Sequence, residues 1–410
     1  TGKENGMEQL KNMEIIRKAF AYLKEDDDRT LKELLELVQI PAPSGFEQDR
    51  AVCIMDKMER IGLDHVGLDR VGNVFGTIKG TGKGPVVMIA AHTDTVFPQG
   101  TDLTIKKEGN RYTCPGINDD TRAIAEILSV ARAMKALDIH GEGDIIFCAN
   151  VCEEGLGDLK GVKYIFRDPH ACDGFITVDN VVPGGIIHTA TGSERYLVTF
   201  AGPGGHSFSD FGLPNPVHAM GRAISRIADF QVKKLPKTTF NVGVVEGGTS
   251  VNSIPERCSM LVDLRSDSAE ELSALSAQFK QVTEDAVSQE NARWDTKEKV
   301  TVIFEEKGRR PAGAQKPDEL IVRAAWDATS AVGYTPVFHD ASSTDANIPI
   351  SLGIPAVALG RAGDGGDTHT VHEWFQPEEA WRAPQKELLL VLALSGFQGY
   401  RKYQLPVRHV

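Results

Sequence analysis

Apolar residues recur at helical spacing over Glu8 to Phe20 and Thr30 to Val38, and Pro41, Pro43 and Gly45 then stop the run. Pro85 to Ala91 is a short, unbroken apolar stretch, the pattern of a strand covered on both faces, and Ile145 to Ala149 and Phe175 to Val178 repeat it. Between these strands the spacing predicts an amphipathic helix with Ile124, Ile127, Leu128, Ala131 and Met134 along one stripe. Strand, helix and strand in alternation predict an α/β class fold around a mostly parallel sheet. The glycine-rich segment Gly80 to Gly84 is expected to be a hairpin turn.

After about Gly185 the pattern changes. Tyr196 to Phe200, Thr238 to Val245 and Ser259 to Arg265 alternate as half-buried strands do, and helices are predicted over Pro216 to Asp229 and Ala269 to Gln289. This is the pattern of a smaller α+β domain with helices on one side of its sheet. The α/β pattern then resumes with a helix over Asp318 to Ala331, a strand at Pro355 to Leu359 and a last helix near Pro377 to Leu394. The expected organisation is one discontinuous domain, residues 1–187 and 308–410, interrupted by an insert of residues 188–307. Tyr196 to Phe200 is expected to be an edge strand able to pair across a two-fold axis.

Composition narrows the classes. The 410 residues carry 45 Lys+Arg against 57 Asp+Glu, a net charge of -12, with 41% hydrophobic residues. That excludes wholesale disorder, and the lack of a basic block argues against a nucleic-acid partner. The longest apolar run, Leu388 to Leu394, is too short to span a membrane. Six cysteines are too few for a disulfide framework, and Thr1 to Asn12 is too polar for a secretory leader, so a cytoplasmic setting is expected.

Candidate chemistry gathers where the buried strands end. His92 and Asp94 follow the first strand two residues apart and therefore share a face, as an imidazole and the carboxylate that orients it would. A polar strand end without a ligand explains the pair equally well. Asp119 and Asp120 open the predicted amphipathic helix; one acid suffices to cap it, which leaves the other for a cation. Glu153 and Glu154 follow the second strand, where one glutamate can hold a metal and its neighbour can serve as general base. Asp179 follows the third strand, and Thr368 to Glu373 brings His369 and His372 late in the α/β segment. In an open α/β sheet, the carboxyl ends of the strands are where ligands bind. His, Asp and Glu donors without cysteine suit zinc, manganese or cobalt, and a shared carboxylate suits a pair of metals. There is no HExxH or G-x-S-x-G motif, and Gly80 to Gly84 lacks phosphate-loop spacing.

At these residues the chain resembles the M20 family of co-catalytic zinc peptidases and deacylases, in its peptidase T-like, tripeptidase-like branch. The resemblance runs from about Thr30 to Pro377 and takes in Gly202 to Ser207 and Gly247 to Pro255 of the insert. It implies a three-layer α/β/α catalytic domain with a ferredoxin-like lid or dimerisation insert, and two divalent ions, zinc foremost. His92 and Asp179 would hold one metal, Glu154 and His369 the other, and Asp119 would bridge them through a cis peptide to Asp120. Asp94 would orient His92, Glu153 would be the general base, and His206 of a partner subunit would stabilise the oxyanion. Asn252 and Arg265 fall at positions near the substrate, although an ordinary ion pair with Asp263 is a rival role for Arg265. His369 stands four residues before Glu373, as the family's ligand does, and His372 is left a supporting or packing role. One departure is that the family's Asp-x-Lys after the bridging residue reads Asp119-Asp120-Thr121 here. The implied activity is hydrolysis of the peptide bond of small peptides, with N-acyl amino-acid deacylation or carboxypeptidase action as the alternative and a homodimer as the implied assembly.

Overall fold

A computed structural model describes residues 6–408 apart from Lys83. The chain divides into two compact units, Thr1–Ala190 with Ala314–Val410, and Thr191–Gly313. Strand Thr301–Arg310 stays hydrogen-bonded to Gly192–Ala201 as far as Arg310, which carries the second division past the 307/308 expected from sequence.

The first unit is built on an eight-stranded sheet in the order Asp64–Leu68, Val74–Ile78, Ile145–Asn150, Val87–His92, Gly174–Asn180, Ala356–Gly360, Gly185–Ile187, Val337–Phe338. Its centre is parallel: Val87–His92 lies between Ile145–Asn150 and Gly174–Asn180, and Ala356–Gly360 runs alongside the latter. Every residue of Val87–His92 is buried because two apolar layers claim alternate side chains. Val87, Ile89 and Ala91 join one core with helices Thr121–Ala136 and Arg382–Ser395, while Met88 and Ala90 face Val162, Phe166 and Ile348 on the other side.

Helix Thr121–Ala136 is buried almost all round, Arg122, Glu126 and Arg132 included, rather than along the single stripe expected. Its outer side is covered in turn, and its charges are paired there: Arg132 with Asp26 at 2.6 Å and with Glu33, and Arg122 with Glu126 at 2.7 Å. The first predicted helix is broken in two, Glu8–Lys11 and Glu14–Glu25, because Met13 takes an extended conformation between them. Gly80 to Gly84 does not make a hairpin, since Ile145–Asn150 lies between the strands this segment joins. Gly80 and Gly84 instead press against the backbone of Gly143, where a Cβ would not fit. No helix among the described residues is long and apolar enough to cross a membrane.

The second unit follows the order strand, helix, two strands, helix, strand, which is a ferredoxin-like arrangement. Its antiparallel sheet has the order Thr238–Gly247, Arg257–Ser266, Gly192–Ala201, Thr301–Arg310. Arg257–Ser266 alternates buried and open positions, and the buried side packs under helices Pro216–Ala228 and Ala269–Ala292 around Phe200, Met260 and Phe279. Asn215 and Ser268 cap the two helices, accepting from Val217 N at 2.9 Å and Glu271 N at 3.3 Å. The segment Tyr196 to Phe200 is central, flanked on both sides, and so cannot be the edge strand expected; the edges are Thr238–Gly247 and Thr301–Arg310. Tyr196, Val198 and Phe200 on this strand face the core under the helices.

Candidate metal centre

Parallel register sets the site. His92 lies opposite Asn150 and Gly360 lies opposite Asn180, so four strand ends open at one edge of the sheet. The segments that leave those ends carry His92 and Asp94, Glu153 and Glu154, Asp179, and Arg361. Asp119 and Asp120 reach the same edge from the N-terminus of helix Thr121–Ala136, and the peptide between them is cis. Two residues beside the site, Cys152 and His369, hold positive φ values of 58° and 65°. Side chains other than glycine rarely adopt that region, and such conformations collect at functional sites.

The side chains converge. His92 Nε2 lies 3.2 Å from Asp119 Oδ1, and His369 Nε2 lies 3.1 Å from Asp119 Oδ2 and 2.9 Å from Glu154 Oε1. Asp119 thus faces a different imidazole through each of its oxygens. Three overlapping sets of ligand-type atoms fall within 4.8 Å of one another: His92 with Asp119, Asp120 and Asp179; His92 with Glu153 and Glu154; and Asp119 with Glu154 and His369. The donors are nitrogen and oxygen only, because the Cys152 thiol turns away to Glu47 Oε1 at 3.4 Å. This set suits hard or borderline divalent ions, and Asp119 is placed as a bridging ligand would be.

Asp94 has a wider task than orienting His92. Its backbone carbonyl, at 3.0 Å, is the nearer partner of His92 Nδ1, and its carboxylate Oδ1 stands at 3.5 Å. The carboxylate accepts from the backbone N–H groups of both Glu153 and Glu154 at 2.9 Å and from Ser44 Oγ at 2.6 Å. One buried aspartate therefore fixes the segment that carries both glutamates. Glu373 does the same for the aspartates, accepting from the N–H groups of Asn118 and Asp119 at 2.8 and 2.7 Å. Burial raises Glu373 to about 7. Asp345, buried beneath the centre and bonded to Asn150 Nδ2 at 2.6 Å, is likewise raised to about 7 by burial, partly offset by His92.

Burial opposes charge on Asp119, but Arg361 and the two imidazoles outweigh it and hold this carboxyl well below the usual range. Burial raises Asp120 and Asp179, neighbouring acids adding to the effect. His92 is held well above its ordinary value: Asp120, Asp119 and Asp94 overcome the burial that disfavours its charge. Hydrogen bonds to Asp119 and Glu154 lift His369 to about 10, with burial working the other way. A cavity of about 420 Å³, lined by Asp119, Asp179, His339, Asp340, Arg361 and His369, forms the mouth.

Of the other residues singled out from sequence, His372 is exposed and lies outside the cluster, so it does not pack under the loop. His206, Asn252 and Arg265 belong to the second unit. His206 Nδ1 accepts from the N–H groups of Phe208 and Ser209 at 3.2 and 3.3 Å, so the neutral ring carries its proton on Nε2. Asn252 Oδ1 accepts from Ser250 Oγ at 2.6 Å, and Arg265 pairs with Asp263 at 2.7 Å, the rival role named for it. Sequence reasoning missed Arg361, which follows the buried strand Ala356–Gly360 just as Asp179 ends its own. The same rule of strand ends points to it; its charge has the wrong sign for a ligand search.

A tripeptidase from Staphylococcus aureus shares the fold with a TM-score of 0.75 at 23% identity, over 90% of this chain and 98% of that one. The aminopeptidase PepT of Bacillus cereus does so with a TM-score of 0.73 at 23% identity, over 89% and 98%. Among curated relatives, the succinyl-diaminopimelate desuccinylase of Corynebacterium glutamicum is 29% identical over 240 residues, 56% of this chain and 64% of that protein. The family model for peptidase family M20/M25/M40 matches residues 88–386, a span that holds both histidines, Asp119, Asp179 and the paired glutamates, and the chain belongs to that family.

Proposed function

We propose that the enzyme hydrolyses the peptide bond of small peptides with free amino termini, at a pair of divalent ions held by His92, Asp119, Glu154, Asp179 and His369. The observation that carries this reading is Asp119, which meets His92 through one oxygen and His369 through the other. Held by these residues, divalent ions would supply Lewis-acid polarisation of the scissile carbonyl and acidify the attacking water. Glu153 would take the proton of the water and return it to the leaving amine. Asp94 holds Glu153 and Glu154 in register for these separate tasks through their backbone N–H groups. His206 is assigned to the oxyanion, with a proton on Nε2 to donate, and Asn252 and Arg265 to the substrate. Zinc is the assigned metal, with manganese or cobalt as alternatives. A homodimer through the inserted unit is supported by its two open sheet edges, and a cytoplasmic setting by the six free thiols.

Deacylation of an N-acyl amino acid is the second reading, favoured by the desuccinylase relative. A panel of tripeptides with free amino termini against N-acetyl, N-succinyl and N-carbamoyl amino acids separates the two. The expected outcome is a kcat/KM at least about tenfold higher for the tripeptides, within the range one pocket contact discriminates; the reverse order would replace the first reading with the second.

Metal loading should depend on pH in a defined direction. A ligand imidazole must be neutral, and His369 keeps its proton up to about 10 in the metal-free protein. Protons and metal compete, so affinity rises with pH, by up to about tenfold per unit for each proton released. Competition with a chromophoric chelator between about pH 6 and 9 measures this, and a flat profile would remove His369 from the ligand set.

A further inference from the structure

One cation is built into the centre. Arg361 Nη1 lies 3.1 Å from Asp119 Oδ1, 2.8 Å from Asp120 Oδ1 and 3.1 Å from Asp179 Oδ1. These are carboxylates of the same set that gathers around His92, and the guanidinium is almost fully buried among them. Among the described residues no lysine or arginine pairs with Glu154 or His369, so the two halves of the centre differ in charge before any metal arrives.

The main chain around Arg361 is clamped. Arg361 N donates to Asn180 O at 2.7 Å, Ala362 N to Glu126 Oε1 at 2.7 Å, and Lys386 Nζ to Gly360 O at 2.7 Å. A Cβ on Gly360 would stand 1.8 Å from Val182 O, so the two backbones pass too closely there for any side chain. The side chain is held through Nη1, and its buried Nε has no hydrogen-bond partner. It also borders the mouth cavity of about 420 Å³, where Asp340 offers another carboxylate.

We propose that Arg361 is a resident counter-ion of the His92 half of the centre, one that holds Asp119, Asp120 and Asp179 together without metal and must give way when a metal enters there. The proposal rests on the bimetal reading above. A buried guanidinium and a divalent ion cannot both sit against the Asp119 and Asp179 oxygens without strong repulsion. The Glu154 and His369 half therefore loads first, and the His92 and Asp179 half binds its metal more weakly. Arg361 acts through the carboxylates and is a positioning residue.

Calorimetric titration of metal-free protein with Zn²⁺ tests this in wild type, R361M and R361K. Wild type should bind two ions with unequal affinity. In R361M the weaker step should tighten by at least about tenfold, the scale on which groups behind the ligands act, with R361K falling between the two. The melting temperature of metal-free R361M should drop while that of the loaded protein changes little. If metal-free R361M does not stay folded, the rate at which a chelator strips the second ion from the loaded protein replaces the titration, and it should be slower than in wild type. An unchanged or weakened second step in R361M, or a loaded form destabilised as much as the metal-free one, makes Arg361 an ordinary structural salt bridge and overturns the proposal. Failure of wild type and both variants to bind any metal would instead overturn the bimetal reading.

Discussion

Replacing Glu153 with glutamine is expected to lower kcat by about 10²–10⁴-fold, the usual contribution of a positioned acid–base group, while the metal content stays at the wild-type value. The geometry makes this a sharp test, because both glutamates of the pair stand near His92. Glu154 also touches His369, at 2.9 Å. Both backbone N–H groups are held by Asp94, so an amide at position 153 leaves the segment in place and removes only the capacity to take a proton. Metal analysis beside single-turnover kinetics reads the two effects separately. Loss of metal from E153Q would reverse the roles given to Glu153 and Glu154.

Asp119→Ala should be the most damaging change to metal binding. Asp119 lies 3.2 Å from one imidazole and 3.1 Å from the other, so both halves of the centre should weaken together, each by more than the 10–100-fold typical of partners lying behind the ligands. His369→Ala, by contrast, should weaken chiefly the Glu154 half. Metal stoichiometry after dialysis against buffered Zn²⁺ distinguishes a shared ligand from a local one. Retention of one tightly held ion in D119A would show that Asp119 does not bridge.

Much of the site was legible because the decisive signals are local. A strand covered on both faces declares itself as an unbroken apolar run, and a charged residue at its end is costly unless it is used. His92, Glu153, Glu154 and Asp179 follow such strands, and the fold gathers them with Asp119, from a helix start, and His369, from a loop. Arg361 obeys the same rule and escaped notice because a ligand search asks for donors, not for a competing cation. Asp94 and Glu373 were recognised as acids, yet their hydrogen bonds to the glutamate and aspartate segments cannot be read from spacing. Glu373 meets Asn118 across 255 positions of chain.

The division between the two levels follows from the range of the forces involved. Periodicity in the chain suffices for the α/β class, the change of pattern near Gly185, the positions of the central strands and the identity of the metal-type donors, because each depends on neighbours a few residues away. Strand order depends on pairings between distant segments. Only the folded sheet shows that Tyr196 to Phe200 has a partner on each side and that the Gly80 to Gly84 segment joins strands that do not touch. The same holds for charge: a formal value of -12 gives no hint that three aspartates share one buried guanidinium. Burial removes the water that would otherwise screen those groups, so their balance is set by which of them tertiary packing brings within about 3 Å, where Coulomb energies are large.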